Sequence, residues 1–145
     1  MDRIPISPSR ILKYGGQQLM WREEVSGVIF HATFAEVLLA KGELNRNLIL
    51  RGDIFLNEFL TYLDQEPLPW IDCFGWNYEG WSYYGYSVVD FEYFEVFDGE
   101  KTYFEIHYPF PPHNIIGEDM QPWFDIVKGR GRPDIYDPQK FQVVV

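Results

Sequence analysis

The chain has 145 residues, of which 46% are hydrophobic and 19% aromatic, a composition that excludes an intrinsically disordered protein and suffices for one domain with its own core. Its 12 basic and 22 acidic residues give a net charge of −10, which repels phosphate and excludes nucleic acid as the expected partner. Cys73 is the one cysteine, so no internal disulfide can form, and no apolar run reaches the ~20 residues that a membrane-spanning helix needs. We therefore expect a cytoplasmic protein that binds neither nucleic acid nor membrane and whose first residues are not a secretory signal.

The acidic residues are concentrated in the middle of the chain. Residues 1–52 hold seven Lys or Arg and five Asp or Glu, a net charge of +2, whereas residues 53–125 hold one and 15, a net charge of −14. Residues 126–145 return to +2, with four basic and two acidic residues. A field of this strength attracts cationic partners and speeds their association, although the same acids could serve solubility alone.

The first part of the chain predicts irregular structure and short strands. Residues 1–16 contain two prolines and two adjacent glycines, which interrupt regular structure and predict an irregular arm. Residues 19–21 and 25–31 predict two short strands around a break at Ser26-Gly27, and residues 47–51 predict another brief strand.

Two helices are predicted around that last strand. Thr33 and Glu36 have the spacing of a capping box, which predicts a short helix over residues 34–41 that Gly42 terminates. Asp53 is expected to cap a second, amphipathic helix, because the apolar residues after it recur at helical spacing until two prolines end the pattern.

The strongest local signal is the pair Asp98-Gly99 between two β-rich runs, residues 88–97 and 100–108. Asp-Gly favours the type I′ turn of a two-residue hairpin loop, which needs positive φ at both central positions. In that register one face of the hairpin is apolar except near the turn, and we expect this face to pack on the core.

The other face of the hairpin gathers acidic and aromatic side chains. A like-charged cross-strand pair costs ~0.2–1 kcal/mol, so a protein that keeps Glu92 opposite Glu105 tolerates a cost, which is a hint of function. The two-residue loop predicts these cross-strand pairs: Phe94 with Tyr103, Glu92 with Glu105, and Asp90 with His107.

Beyond the hairpin the chain predicts a proline-rich break at residues 109–112, a third short helix at 118–127 and a flexible basic loop at 128–140. Helices mixed with an antiparallel hairpin, without alternating β-α units, are typical of an α+β fold. We predict one α+β domain over residues 1–145, with an antiparallel sheet centred on an 88–108 hairpin and two or three short helices.

The residues that could carry chemistry do not define a reaction. Cys73 could be a nucleophile beside a histidine, but its apolar neighbours are typical of a packed core residue. The acids and histidine of the hairpin could hold a divalent ion, yet the chain has neither an EF-hand loop nor an HExxH pattern. Paired carboxylates among aromatics also suit glycoside hydrolysis, but nothing in the sequence fixes the ~5–10 Å separation that the two acids need. We expect no catalytic residue, no metal and no cofactor.

A protein-binding surface explains these residue types better, because desolvated charges give specificity and aromatic side chains supply binding energy. The side chains expected to engage cationic groups are Asp90, Glu92, Glu105 and His107. The expected aromatic anchors are Phe94, Tyr103, Trp76, Trp81 and Tyr84.

In size, acidity and aromatic content the chain resembles the immunity proteins that bacteria pair with secreted toxins. The resemblance implies an inhibitor that neutralises a basic partner, such as a toxin nuclease, by covering its active site with acidic side chains. Such a protein would be a monomer or a weak homodimer. Two alternatives stay open: a small-molecule or carbohydrate-binding domain that could be a hydrolase, and a self-associating structural protein whose aromatic face is buried between two copies.

Overall fold

The structure, a computed structural model, describes residues 2–77 and 89–115. The chain divides into two compact units, the first formed by Met1–Lys41 and Asp90–Pro111 and the second by Gly42–Val89 and Pro112–Val145. The strands of the described residues are β1 (Asp2–Pro5), β2 (Leu19–Glu23), β3 (Ile29–Ala32), β4 (Asp53–Phe55), β5 (Phe74–Asn77), β6 (Glu92–Asp98), β7 (Lys101–His107) and β8 (His113–Asn114). The α-helices of the described residues are α1 (Pro8–Ile11), α2 (Phe34–Arg51) and α3 (Leu56–Tyr62), and short 3-10 turns occupy Leu12–Tyr14 and Pro69–Ile71.

Helices and two largely antiparallel sheets confirm the predicted α+β class. The first unit contains a five-stranded sheet in the order β1-β6-β7-β2-β3. Strand β7 of the predicted hairpin is the central strand, and β6 lies next to it. One pair, β2 with β7, is parallel, so the sheet is mixed rather than purely antiparallel. No helix in the described part of the chain is long and apolar enough to cross a membrane.

The N-terminal segment is not the irregular arm that its prolines and glycines predict. Residues Asp2–Pro5 form β1, which pairs antiparallel with β6 at the edge of the sheet. Pro5 is tolerated there because an edge strand does not need every backbone N–H for pairing. Pro8 then occupies the first turn of α1, where a missing N–H costs little. The expected loop at residues 128–140 lies outside the described residues.

Helix α2 is longer than the sequence predicts. Its capping box forms as expected, since Glu36 accepts the N–H of Thr33 at 2.9 Å and the Thr33 hydroxyl accepts the N–H of Glu36 at 3.1 Å. Gly42 does not end the helix, which spans 18 residues and includes the segment 47–51 predicted as a strand. The terminating glycine is Gly52, which has φ +84° and donates its N–H to the carbonyl of Leu48 at 2.8 Å.

The start of the next helix also differs from the prediction. Asp53 does not cap it but begins β4, and α3 starts only at Leu56. Glu58 caps the helix from inside, because its carboxylate accepts the N–H of Phe55 at 2.9 Å. A carboxylate in the first turn satisfies a free N–H and complements the helix dipole.

The core of the first unit is aromatic and lies on the apolar face of the hairpin, as predicted. Trp21 is fully buried and donates its indole N–H to the carbonyl of Ala32 at 3.0 Å. Its ring contacts Phe34 of α2 at 6.1 Å and Phe104 of β7 at 5.5 Å between centroids, and Phe34 meets Tyr93 of β6 edge-on at 5.4 Å. Such ring pairs add stability beyond the area they bury.

The hairpin turn lies one residue further along than the predicted loop. Asp98 pairs with Lys101, so the loop is Gly99-Glu100 and every cross-strand partner moves by two residues. Because side chains alternate with a period of two, this shift keeps each residue on its predicted face and changes only its neighbours.

The cross-strand pairs predicted for the acidic residues are therefore wrong. Glu92 lies opposite His107, and Glu105 lies opposite Phe94. The observed register separates two like charges that the predicted one opposed, and it places Asp98 opposite Lys101, so electrostatics favours it over the local turn preference.

The second unit contains a three-stranded antiparallel sheet in the order β4-β5-β8. Gly75 of β5 lies opposite Phe55 of β4, and the two backbones approach closely at this point. A Cβ atom on Gly75 would lie 2.9 Å from the Cα of Phe55 and closer still to the backbone of Ile54. Only glycine fits here without moving a strand.

Two glycine substitutions test this packing. We expect Gly75→Ala to destabilise the second unit by about 2 kcal/mol or more, because backbone atoms must shift. Gly42→Ala has open space at its Cβ in the middle of α2 and should stabilise the protein by about 1 kcal/mol. Urea unfolding measures both effects, and equal changes in the two variants would contradict the close β4–β5 approach.

Candidate protein-binding face

The sheet of the first unit has a second face, turned away from Trp21 and Phe34, that is rich in charge. The strand registers place one residue from each strand in a continuous row across it: Pro5, Phe94, Glu105, Arg22 and Ile29. We call this side the charged face and define it by Arg3, Arg22, Glu92, Phe94, Asp98, Tyr103, Glu105 and His107.

Glu105 is the centre of the charged face and is fully buried. Arg3 of β1 donates to it through Nε at 2.5 Å and Nη2 at 3.2 Å, and Arg22 of β2 donates through Nη1 at 3.2 Å. The Nε2 atom of His107 lies 2.9 Å from its other side. Residues from three strands therefore meet at one carboxylate.

The protonation of Glu105 follows from these partners. Burial by itself would raise the pKa of Glu105, but the hydrogen bonds and charges of Arg3 and His107 outweigh it and lower the pKa to about 2. The carboxylate is thus ionised in the folded protein at neutral pH, and its charge is compensated by neighbours in the same chain.

His107 links Glu105 to the edge of the face. Its Nδ1 lies 3.3 Å from the carboxylate of Glu24, which directly follows β2, and its ring centroid lies 4.5 Å from that of Phe94. The tilted contact with Phe94 and the polar atoms at both ring nitrogens restrict the orientation of the His107 ring.

The turn that carries Glu24 is itself fixed from the core. Glu23 is fully buried and accepts the Tyr108 hydroxyl at 2.6 Å and the N–H groups of Val25 and Ser26 at 3.1 and 2.6 Å. Burial raises the pKa of Tyr108, so its hydroxyl remains a donor to this carboxylate. The β2–β3 turn is therefore locked in one conformation beside the charged face.

The three predicted acidic residues differ in their exposure and in their ion-pair partners. Glu105 is neutralised inside the face, whereas Glu92 is exposed and forms no salt bridge among the described residues. Asp90 precedes β6 and pairs with Lys41 at 2.9 Å, not with His107 as predicted. The hydrogen bond from Lys41 lowers the pKa of Asp90.

The predicted aromatic anchors also separate. Phe94 and Tyr103 lie half-buried on the charged face. Trp76 belongs to β5 of the second unit and is fully buried, so it cannot anchor a partner in this conformation. Trp81 and Tyr84 lie outside the described residues.

Sequence reasoning missed the cations of this face. The sequence pattern places Arg3 in an irregular arm and predicts no role for Arg22 or Glu24. The hydrogen bonds from Arg3 and Arg22 to Glu105 span 102 and 83 residues of chain. No local pattern specifies such pairings, although the position of Arg22 between buried Trp21 and Glu23 is the alternation that places it on the second face of a strand.

Cys73 and the possible metal ligands of the described residues can be judged from their surroundings. Burial, and to a lesser extent the charge of Asp72, raises the pKa of the half-buried Cys73, which disfavours the nucleophilic thiolate. Within residues 2–77 and 89–115, no cluster of three or more His, Cys, Asp or Glu is arranged to hold a metal ion.

A second buried ion pair lies in the other unit. Glu58 of α3 is fully buried and accepts from Arg51, at the end of α2, at 2.5 Å. Burial raises the pKa of Glu58 to about 7, although Arg51 and the N–H of Phe55 favour its ionised form. The two buried glutamates, Glu58 and Glu105, therefore respond to pH in opposite directions.

Acid titration tests Glu105. Because its pKa is lowered in the folded state, its stabilising contribution is fully present above the unfolded pKa of about 4.3 and is lost as the pH falls through about 2. We expect this contribution to be about 3 kcal/mol. Urea unfolding at a series of acid pH values should show a steeper loss for the parent than for Glu105→Gln, with the exposed Glu100→Gln as control. Parallel curves for all three proteins would contradict the assignment.

The dependence of stability on pH that we expect from Glu58 has the opposite slope and lies at higher pH. Its pKa is raised in the folded state, so stability should fall as the pH rises from about 4.3 to about 7. Glu58→Gln should flatten the unfolding free energy over this interval, and Glu66→Gln, an exposed acid of the same unit, should leave the slope unchanged. If the stability of the parent rose across this interval relative to that of Glu58→Gln, the raised pKa of Glu58 would be refuted.

Comparison with known proteins places the chain in a family. The family model described as a family of unknown function (DUF6353) matches residues 2–116, which include every residue that the structure describes. No curated protein and no solved structure matches the chain. Because the match covers most of its 145 residues, the chain belongs to the family of unknown function DUF6353.

Proposed function

We propose that this chain is a protein-binding inhibitor that captures a basic partner, such as a toxin nuclease, through the charged face, in the manner of an immunity protein. The observation that carries the proposal is the network around Glu105, in which Arg3, Arg22 and His107 converge on one buried carboxylate at a sheet surface. A cytoplasmic location is part of the same proposal.

Pre-organisation is the first argument. The guanidinium groups of Arg3 and Arg22 are held by Glu105, and the His107 ring contacts that of Phe94 in a tilted arrangement. Side chains that are already ordered lose little conformational entropy when a partner binds, so more of the contact energy remains as affinity.

Residue type is the second argument. Arginine and aromatic side chains dominate the energetic centres of protein interfaces, and the charged face brings Arg3 and Arg22 together with Phe94 and Tyr103. A face built only for stability would not need two arginines, since a buried ion network contributes little more than apolar residues of equal volume.

The distribution of charge supports a basic partner and changes which acids we expect to contact it. The negative charge of Glu105 is compensated by Arg3, Arg22 and His107 of the same chain. Glu105 therefore orders the face and does not pair with cations of the partner. Glu92, Asp98 and Glu100 are exposed and form no salt bridge among the described residues, so their field is directed to solvent. They steer a basic protein towards the face, which raises the association rate at low salt.

Charge reversal tests the proposal. We expect Glu92→Lys with Asp98→Lys to weaken capture of a basic protein by about tenfold or more, because both acids flank the charged face. The matched control is Glu43→Lys with Glu66→Lys, which makes the same change in net charge at two exposed acids of the second unit. The measurement is affinity capture from a lysate of the source organism at low and high salt, followed by an assay of whether the captured protein loses its activity on binding.

Two results would contradict the proposed function. One is equal capture by the parent and both variants, which would move the interface away from the charged face. The other is self-association of the parent that the charge reversal disrupts, measured by light scattering, which would indicate that the face is an interface between two copies.

A further inference from the structure

A groove of about 420 Å³ lies in the first unit beside the charged face. One wall is the segment Pro5–Pro8, where β1 ends and α1 begins, and the other wall is the segment Phe91–Phe94 at the start of β6. Its volume falls in the range of pockets that hold small ligands, roughly 300–1,000 Å³, so it has room for an apolar side chain.

The groove follows from where the strand pairing stops. The last β1–β6 pair is Pro5 with Phe94, and one further bond joins the N–H of Ile6 to the carbonyl of Tyr93 at 2.9 Å. Ser7 and Pro8 then turn the chain into α1, away from β6. Among the described residues Glu92, the first residue of β6, is therefore left without a strand neighbour on this side, and the groove lies between the two segments.

The lining combines apolar surface with one negative charge. Proline, isoleucine and aromatic side chains supply most of the wall, Ser7 adds a hydroxyl, and Glu92 is the one ionisable acid among the lining residues. Glu92 is exposed and forms no salt bridge within the described part of the chain, so it can accept a cation from outside. An occupant that matches this lining carries an apolar group next to a positive charge.

We propose that the groove is the docking site for an apolar side chain of the partner protein, with an adjacent lysine or arginine paired to Glu92. This inference rests on the proposed function, because it assigns a specific anchoring contact to the basic partner. Charge complementarity selects a basic protein segment, since the groove adjoins a face whose exposed acids Glu92 and Asp98 already attract cations. Phe94 lines the groove and its ring contacts that of His107, so an occupant would contact the ordered network directly.

Blocked dipeptides test the chemistry of the groove without the partner. The probes are phenylalanyl-lysine, phenylalanyl-glutamine and phenylalanyl-glutamate with capped termini, titrated into the isotope-labelled protein while backbone amide shifts are recorded. We expect shifts at Ser7 and at residues 91–94, with affinity in the order lysine, glutamine, glutamate. Glu92→Gln should weaken the lysine peptide by about two- to fivefold, as expected for one exposed ion pair, and should remove its advantage over the glutamine peptide. Glu66→Gln, which removes one exposed acid of the second unit, is the matched control and should change nothing.

Blocking the groove gives a second, independent readout. Ser7 is exposed and lines the groove, so Ser7→Phe should fill it without disturbing the core, which the amide spectrum verifies. We expect this variant to lose dipeptide binding and to capture the basic partner at least tenfold more weakly.

The outcomes separate this inference from the proposed function. Capture of the basic partner by Ser7→Phe at parental strength overturns the groove as docking site while the charged face stands. Charge-ordered dipeptide binding without capture of any basic protein supports the groove and counts against the proposed inhibitor. Absence of shifts with all three dipeptides, equal binding of the glutamate peptide, or a homodimer that Ser7→Phe dissociates overturns the inference.

Discussion

The ion pair between Arg3 and Glu105 is the interaction on which the charged face depends. A carboxylate that is fully buried must be paired and hydrogen-bonded, because an uncompensated buried charge costs several kcal/mol. Glu105 of β7 meets this requirement with Arg3 from one sheet edge, Arg22 from the neighbouring parallel strand and His107 from its own strand. The network can form only when β1 and β2 take their observed registers, so it selects one arrangement of the sheet rather than merely adding stability.

This arrangement changes what an acidic composition means for function. Net negative charge alone suggests that every carboxylate of the hairpin is available to a cationic partner. In the folded chain Glu105 is used internally, Asp90 is paired with Lys41, and Glu95 accepts the Tyr14 hydroxyl at 3.3 Å. The field that a partner meets comes from the acids that remain exposed, and the aromatic and arginine side chains between them are already ordered. The proposed interface is therefore a rigid mixed surface with an acidic margin.

The two units also show how local signals compete with tertiary packing. Gly42 and Gly52 are both plausible helix ends, yet only Gly52 adopts positive φ. The apolar stripe of α2 continues past Gly42 through Leu44 and Leu48, and burial of these side chains outweighs the cost of one glycine in a helix, about 1 kcal/mol. The position of the hairpin turn has a similar origin. The observed register places Asp98 opposite Lys101 and separates Glu92 from Glu105. These charge arrangements outweigh the intrinsic preference of Asp-Gly for the central turn positions.

The sequence by itself determined the α+β class, the existence of the hairpin, the capping box of α2 and the division of hairpin residues between an apolar and a charged face. These features depend on periodicity and on neighbours a few residues apart, and the face assignment survives a two-residue register shift because side chains alternate with a period of two. Only the tertiary structure decided that residues 2–5 form an edge strand, that β2 lies parallel to β7, and that Arg3 and Arg22 converge on Glu105. Those contacts join residues 83 and 102 positions apart, and their energy comes from desolvation and pairing of charges that no local pattern records.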